Sequence, residues 1–198
     1  MRQFIVLGHE VPTTADFSLD ALASEAGRMD LLARCLNAAF LASHGIREDV
    51  RVHLVIGDEY TVTVDGSEVR NLHPDERSIA ALVRNALDHR EDAIGHMPAE
   101  ASPGVSIRRF GFETILEECA RDGTVIQLHE DGDPASEAEI PENPVFVLSD
   151  HTDFTDEEES LLADAADLRL RLGPRTLHAD HSITVAHHWL DTQGYQHF

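Results

Sequence analysis

The chain contains no lysine: all 15 of its basic residues are arginine, set against 37 acidic ones, and the net charge is −22 over 198 residues. Without lysine there is no Schiff-base chemistry and no lysine-bearing phosphate loop. There is also no G-x-G-x-x-G and no G-x-S-x-G, so the usual dinucleotide fingerprint and the nucleophile elbow are missing. Cysteine is scarce. Cys35 and Cys119 are the only two, both on apolar faces of predicted helices, so neither a disulfide framework nor a cysteine metal site is supported. No apolar run approaches the roughly 18 residues of a membrane span. Met1–Glu10 lacks the layout of a signal peptide, and a cytoplasmic protein is expected.

What is present is enough apolar sequence, 42% of residues, to build one large core. The acidic residues are spread through the chain rather than gathered in a tail. Such a surface suits concentrated salt, where self-repulsion is screened within a few ångströms, and it indicates a halophile. The charge therefore says little about the ligand.

Strands and helices alternate. Gln3–Leu7, Arg51–Ile56, Val105–Arg109, Val125–Leu128, Val145–Leu148 and Leu168–Leu172 read as strands. Tyr60–Val64 and Glu68–Asn71, joined by Asp65-Gly66, read as a hairpin. The longest helical pattern runs from about Asp20 to Ser43, with Leu22, Ala26, Met29, Ala33, Leu36 and Phe40 on one face and Gly45 as its stop. Further helices are predicted from Pro74 onward, over Phe112–Ala120, over Asp156–Ala166 behind a Thr155/Glu158 capping box, and from Ala179 to Trp189 and Leu190. Met97–Gly104 and the acidic Glu130–Asn143 read as loops. The alternation predicts a single α/β domain over residues 1–198, with a mostly parallel sheet flanked by helices.

Three strand ends run into polar loops: Leu128 into His129-Glu130-Asp131-Gly132, Leu148 into Ser149-Asp150-His151-Thr152-Asp153, and Leu172 into Gly173-Pro174. Ligands of open α/β sheets bind outside the carboxyl ends of strands, so the three loops predict one shared pocket. Asp150-His151-Thr152-Asp153 reads either as an acid–base group or as a turn capping the next helix. Gly27-Arg28-Met29-Asp30 reads either as a kink with solvated charges or as a point where a backbone or nucleotide comes close. Arg108 and Arg109 beside Phe110 and Phe112 suit RNA phosphates and bases, and equally a strand edge over core phenylalanines. His178, His181, His187 and His188 match no zinc signature, and no metal is assigned.

Gly27-Arg28-Met29-Asp30, Ser43-His44-Gly45-Ile46-Arg47, Phe146–His151 and Leu172-Gly173-Pro174 through Leu177–His181 together resemble the archaeal tRNA pseudouridine-54 N1-methyltransferases, within the SPOUT superfamily of knotted methyltransferases. The resemblance covers essentially the whole chain, in order. It implies an α/β domain whose C-terminal part, about residues 125–198, is tied in a deep trefoil knot. It implies S-adenosylmethionine held by Leu128, Leu148, Ser149, Leu172, Gly173, Pro174, Arg175, Thr176, Leu177 and Ser182. Two positions depart from the family: Ser149 stands where glycine is usual, and Ser182 where cysteine is usual. It further implies a homodimer, a tRNA T-loop pseudouridine as substrate, and no membrane or DNA partner. Arg28, Asp30, Arg108 and Arg109, with Arg175, would contact the RNA. Asp30, Asp150 and Asp153 are the candidates to accept the N1 proton. The competing readings are a ribosomal-RNA methyltransferase, a non-catalytic RNA- or cofactor-binding module, and a metal hydrolase built on the C-terminal histidines.

Overall fold

In the first strand, β1 (Arg2–Gly8), side chains alternate between two cores: Phe4 and Val6 enter one, Ile5 and Leu7 the other. A strand apolar on both faces has to be covered on both, and helices supply the cover. The structure is a computed structural model that describes residues Met1–Phe198. In chain order the remaining elements are α1 (Met29–Phe40), β2 (Leu41–Ala42), β3 (Gly45–Ile46), β4 (Val50–Ile56), β5 (Tyr60–Asp65), α2 (Glu76–Asp88), β6 (Ala99–Ser102), β7 (Val105–Arg108), α3 (Phe112–Asp122), β8 (Thr124–Pro134), β9 (Pro144–Ser149), α4 (Asp156–Ala165), β10 (Leu168–Arg171) and α5 (Ala179–Asp191).

Eight strands form one sheet in the order β10-β8-β9-β1-β4-β5-β7-β6. From β10 to β4 every pairing is parallel; β5, β7 and β6 add an antiparallel flank. Helices α1, α2 and α5 cover one face over a core that includes Phe4, Phe40, Phe146 and Trp189. Helices α3 and α4 cover the other, through Phe112, Ile115, Leu116 and Leu162. The α/β class and the flanking helices agree with the sequence reading. The parallel part of the sheet carries all three predicted loop ends.

Several local expectations are corrected. The long pattern from Asp20 to Ser43 is helical only over Met29–Phe40. Gly27 and Arg28 both take left-handed backbone, φ 53° and 66°, and two such residues in a row end a right-handed helix. Gly45 lies in the short β2–β3 hairpin rather than capping α1. The hairpin through Asp65-Gly66 does not form; β5 pairs instead with β4, across Gly57-Asp58. Ala99–Ser102, expected as loop, is the edge strand β6. β8 runs on to Pro134, inside the segment expected to be solvated. Its pairing with β10 jumps from Gln127 to Asp133, so Leu128–Gly132 is left out of the ladder. The capping box at Thr155 and Glu158 forms with both reciprocal bonds.

Cys35 and Cys119 are buried free thiols. Burial pushes Cys119 up to about 12 and raises Cys35 further, which leaves both unreactive. No helix is long and apolar enough to cross a membrane.

Candidate active site

The sheet register lines up one edge of the molecule. Ser149 stands beside Leu7, Leu7 beside Val55, Val55 beside Thr61 and Thr61 beside Arg108. β7 is antiparallel to β5, which is antiparallel to β4, so β9, β1, β4 and β7 all end at this edge. Four strand spacings put Arg108 roughly 19 Å from Ser149.

On the β10 side of this edge, Gln127 pairs with Val147, so Leu128 and Leu148 leave the sheet side by side. Thr176 donates to Glu130 at 3.3 Å, tying the third loop to the first, and the Tyr195 hydroxyl donates to the Leu172 carbonyl at 3.4 Å. No backbone group of Gly173–Leu177 has a backbone partner. A β-carbon placed on Gly173 would meet nothing within 4 Å. Pro174 through Leu177 are exposed, while Leu128 and Leu172 pack on the core and Ser182 is buried on α5. Free main-chain donors and acceptors, open space at a glycine and adjacent leucine side chains fit a polar, adenosine-bearing ligand. Arg175 has no ion-pair partner.

The Asp150 side chain is fully buried and its oxygens are occupied. Oδ2 accepts from the His9 amide at 2.9 Å, and Oδ1 accepts from the Thr152 amide at 2.8 Å and lies 3.1 Å from His9 Nδ1. The Ser149 hydroxyl donates to the Thr152 carbonyl. Asp153 is exposed and makes no hydrogen bond or ion pair.

At the start of α1, Arg28 forks onto Asp30, with Nε 2.9 Å from Oδ1 and a terminal nitrogen 3.0 Å from Oδ2. Arg34, one turn on, donates to Asp30 Oδ2 at 2.7 Å and reaches Asp180 of α5 at 3.4 Å. The Arg28 hydrogen bonds hold the Asp30 carboxyl below its ordinary range against the cost of burial, with Arg34 adding to the effect. Asp30 is thus a buried anion rather than the solvated charge of the first sequence alternative, and a poor proton acceptor. Gly27 sits where a β-carbon would lie 1.9 Å from the Glu10 carbonyl oxygen. That is the close backbone approach of the second alternative, and it presses the loop after β1 onto the start of α1.

Arg108 donates to Glu118 at 2.8 Å and covers the Phe110 ring at 4.4 Å, which engages it structurally. Arg109 is half exposed, 3.4 Å from the Tyr60 hydroxyl. The C-terminal histidines are dispersed. His187 is buried against the Ala39 carbonyl and Arg2, His188 lies by Tyr195, and the His178 and His181 rings are 6.2 Å apart.

Sequence reading overlooked His9, Arg34 and Asp180. His9 follows a fourth strand end, Gly8, where the same rule applied. Arg34 lies four residues after Asp30, the spacing of a helical ion pair. Asp180 gave no signal of its own; its Oδ1 is buried without a partner.

A family model described as "Putative SAM-dependent RNA methyltransferase" matches residues 1–195. The chain is 71% identical to the tRNA (pseudouridine(54)-N(1))-methyltransferase of Haloferax volcanii, over all of both chains. It is 56% identical to the protein of that name from Halobacterium salinarum and 40% to that from Methanococcoides burtonii, covering 98% and 96% of each chain. Among solved structures, Archaeoglobus fulgidus Nep1 bound to S-adenosylhomocysteine superposes with a TM-score of 0.61 at 14% identity, covering 93% of this chain and 94% of that one. At that identity the likeness is one of fold.

Proposed function

The chain belongs to the family of putative SAM-dependent RNA methyltransferases, and from that premise we propose that it methylates N1 of pseudouridine at position 54 of tRNA, the reaction named for its full-length relatives. The observation that carries the reading is the convergence, on one sheet edge, of three adjoining loops, the last with free main-chain groups, and of an anchored guanidinium at Arg28. When bound, S-adenosylmethionine supplies a methyl group on a sulfonium, already activated for transfer. The protein's part is alignment, exclusion of water and handling of the N1 proton.

Leu128, Leu148 and Leu172 give the apolar side of the cofactor site, and Ser149, Gly173–Leu177 and Ser182 the polar side. Arg28, with its free face toward solvent, holds the extruded base or its phosphate. Asp30 fixes Arg28 and stays ionised. Of the three carboxylates considered for the proton, Asp153 alone has free oxygens; it, or water beside it, takes the proton as the N–C bond forms. Arg175, unpaired, and Arg109, half exposed with Glu59 no nearer than 3.9 Å, are the cations for RNA phosphates, and Arg108 acts through Phe110. A chain of −22 charge repels a polyanion, so recognition rests on shape and these few arginines.

A trefoil knot over residues 125–198 is part of the same proposal. In its support, α4 and α5 cover opposite faces of the sheet on either side of β10. The β8–β9 connector also lies against α5's end, where Ser136–Ile140, Leu190, Gln193 and Gln196 line a cavity of about 450 Å³. Assembly as a homodimer in the cytoplasm is part of the same proposal. Sedimentation tests the assembly.

The test of the reaction is methylation of T-loop transcripts with and without pseudouridine, read by nucleoside mass spectrometry. Product only on pseudouridine is expected; methylation of unmodified uridine overturns the N1 assignment. Ribosomal-RNA fragments in parallel separate the two RNA classes.

A further inference from the structure

His9 lies at the exit of β1, 17% exposed, with each ring nitrogen against a different carboxylate. Nδ1 is 3.1 Å from Asp150 Oδ1, and Nε2 is 3.1 Å from Glu158 Oε2. A neutral imidazole has one N–H and one lone pair, so in that form one of these contacts sets lone pair against anion. Only the imidazolium satisfies both. The two carboxylates also hold the turn between β9 and α4. Asp150 accepts the Thr152 amide and Glu158 accepts the Thr155 amide, each at 2.8 Å. The cation on His9 thus bridges the two anchors of one loop.

We propose that His9, as the imidazolium, is a positioning residue that clamps the Asp150–Thr155 loop in its cofactor-binding form, so that cofactor affinity declines when the ring loses its proton. The inference rests on the reading that this loop lines the S-adenosylmethionine site. The charged groups around the clamp are Asp150 and Glu158 in direct contact, His151 and Glu10 beyond Asp150, and Arg28, whose charge Asp150 also stabilises. Burial lowers the affinity of His9 for its proton, but the hydrogen bonds to Glu158 and Asp150 outweigh it, and the net shift is upward from 6.5. A raised histidine contributes fully below its unfolded value and is lost as pH rises through the folded one. The clamp is therefore closed below the ordinary value of 6.5 and opens as pH rises through the raised one.

Two measurements on the full-length protein in concentrated potassium chloride test this. By NMR, the Thr152 and Thr155 amides of the free protein should move with a single midpoint above 6.5, the same as that of the His9 ring. Calorimetry with S-adenosylhomocysteine should show affinity falling about tenfold from pH ~6 to ~9, the worth of one charge-assisted hydrogen bond. His9→Gln, which keeps one donor but does not titrate, should bind about tenfold more weakly at the acid end and show no pH slope. Amides that ignore the ring titration, or a slope retained in His9→Gln, overturn the clamp. If S-adenosylhomocysteine binds at no pH, the methyltransfer reading falls, and the amide titration alone decides the clamp.

Discussion

Arg28 takes a left-handed backbone conformation that costs an L-residue about 1 kcal/mol, yet its guanidinium is fixed by two hydrogen bonds to a buried anion. Arg28→Gly removes the side chain and the strain together, and so separates function from folding. Asp30 loses its fork but keeps Arg34, and the left-handed strain is relieved, so the unfolding free energy should fall by only about 1–3 kcal/mol. Methylation kcat/KM should fall at least tenfold, the worth of about one charged hydrogen bond to substrate, while S-adenosylhomocysteine affinity is kept. Equal loss of binding and turnover would place Arg28 in the fold rather than at the substrate. Two glycines give opposite expectations. Gly27→Ala meets the Glu10 carbonyl at 1.9 Å in a left-handed conformation and should cost roughly 2–4 kcal/mol in denaturant unfolding. The β-carbon of Gly173→Val meets nothing within 4 Å, so stability should stay within about 0.5 kcal/mol while cofactor affinity falls. Unchanged affinity would remove Gly173 from the pocket.

At the scale of elements, two histidines are locked neutral between packed layers. His53 on β4 is bonded to Thr63 and Gln3, and burial pushes it down to about 3. Burial, reinforced by Arg47 and Arg2, pushes His187 on α5 down to about 4. A depressed histidine stabilises the fold above its unfolded value near 6.5, and the contribution is lost as pH falls below that value. The unfolding free energy from urea titrations should therefore drop between pH ~6.5 and ~4.5, by up to roughly 1 kcal/mol per pH unit for each histidine. The depressed carboxylates Asp30, Asp65 and Asp191 act only at lower pH, since their unfolded values lie near 3.8.

The sheet strands other than β6, and the capping box, were legible because apolar strand runs and a Thr-x-x-Glu signature are local. The start of α1 was not. Leu22 and Ala26 are buried and keep the helical spacing, but they pack from a turn, because Gly27 is needed against Glu10. A knot would leave no mark on periodicity either; its proposal rests on resemblance. The three loops proposed for the cofactor were visible as strand ends. The pairing of Asp30 with Arg34 was open to reading from its helical spacing, whereas the use of both Asp150 oxygens by the distant His9 was not.

For the molecule as a whole, −22 of net charge has to be tolerated by one compact body. The Debye length is about 30 Å at 0.01 M salt and about 3 Å at 1 M. Dialysis into millimolar salt should lower the melting temperature steeply, with molar potassium chloride restoring it; a flat response would detach the charge from salt adaptation. The same screening has a cost between molecules, since in brine their mutual repulsion no longer keeps them apart. An open sheet then risks adding a neighbour's strand at either rim. Here both rims are only four residues long. β10 carries the exposed Arg169 and Arg171, and β6 is flanked by Pro98 and Pro103 and broken by a shift after Glu100. Resistance to aggregation in saturated salt thus falls to the shortness and irregularity of two outer strands, and lengthening or smoothing either one is the change to which solubility should be most sensitive.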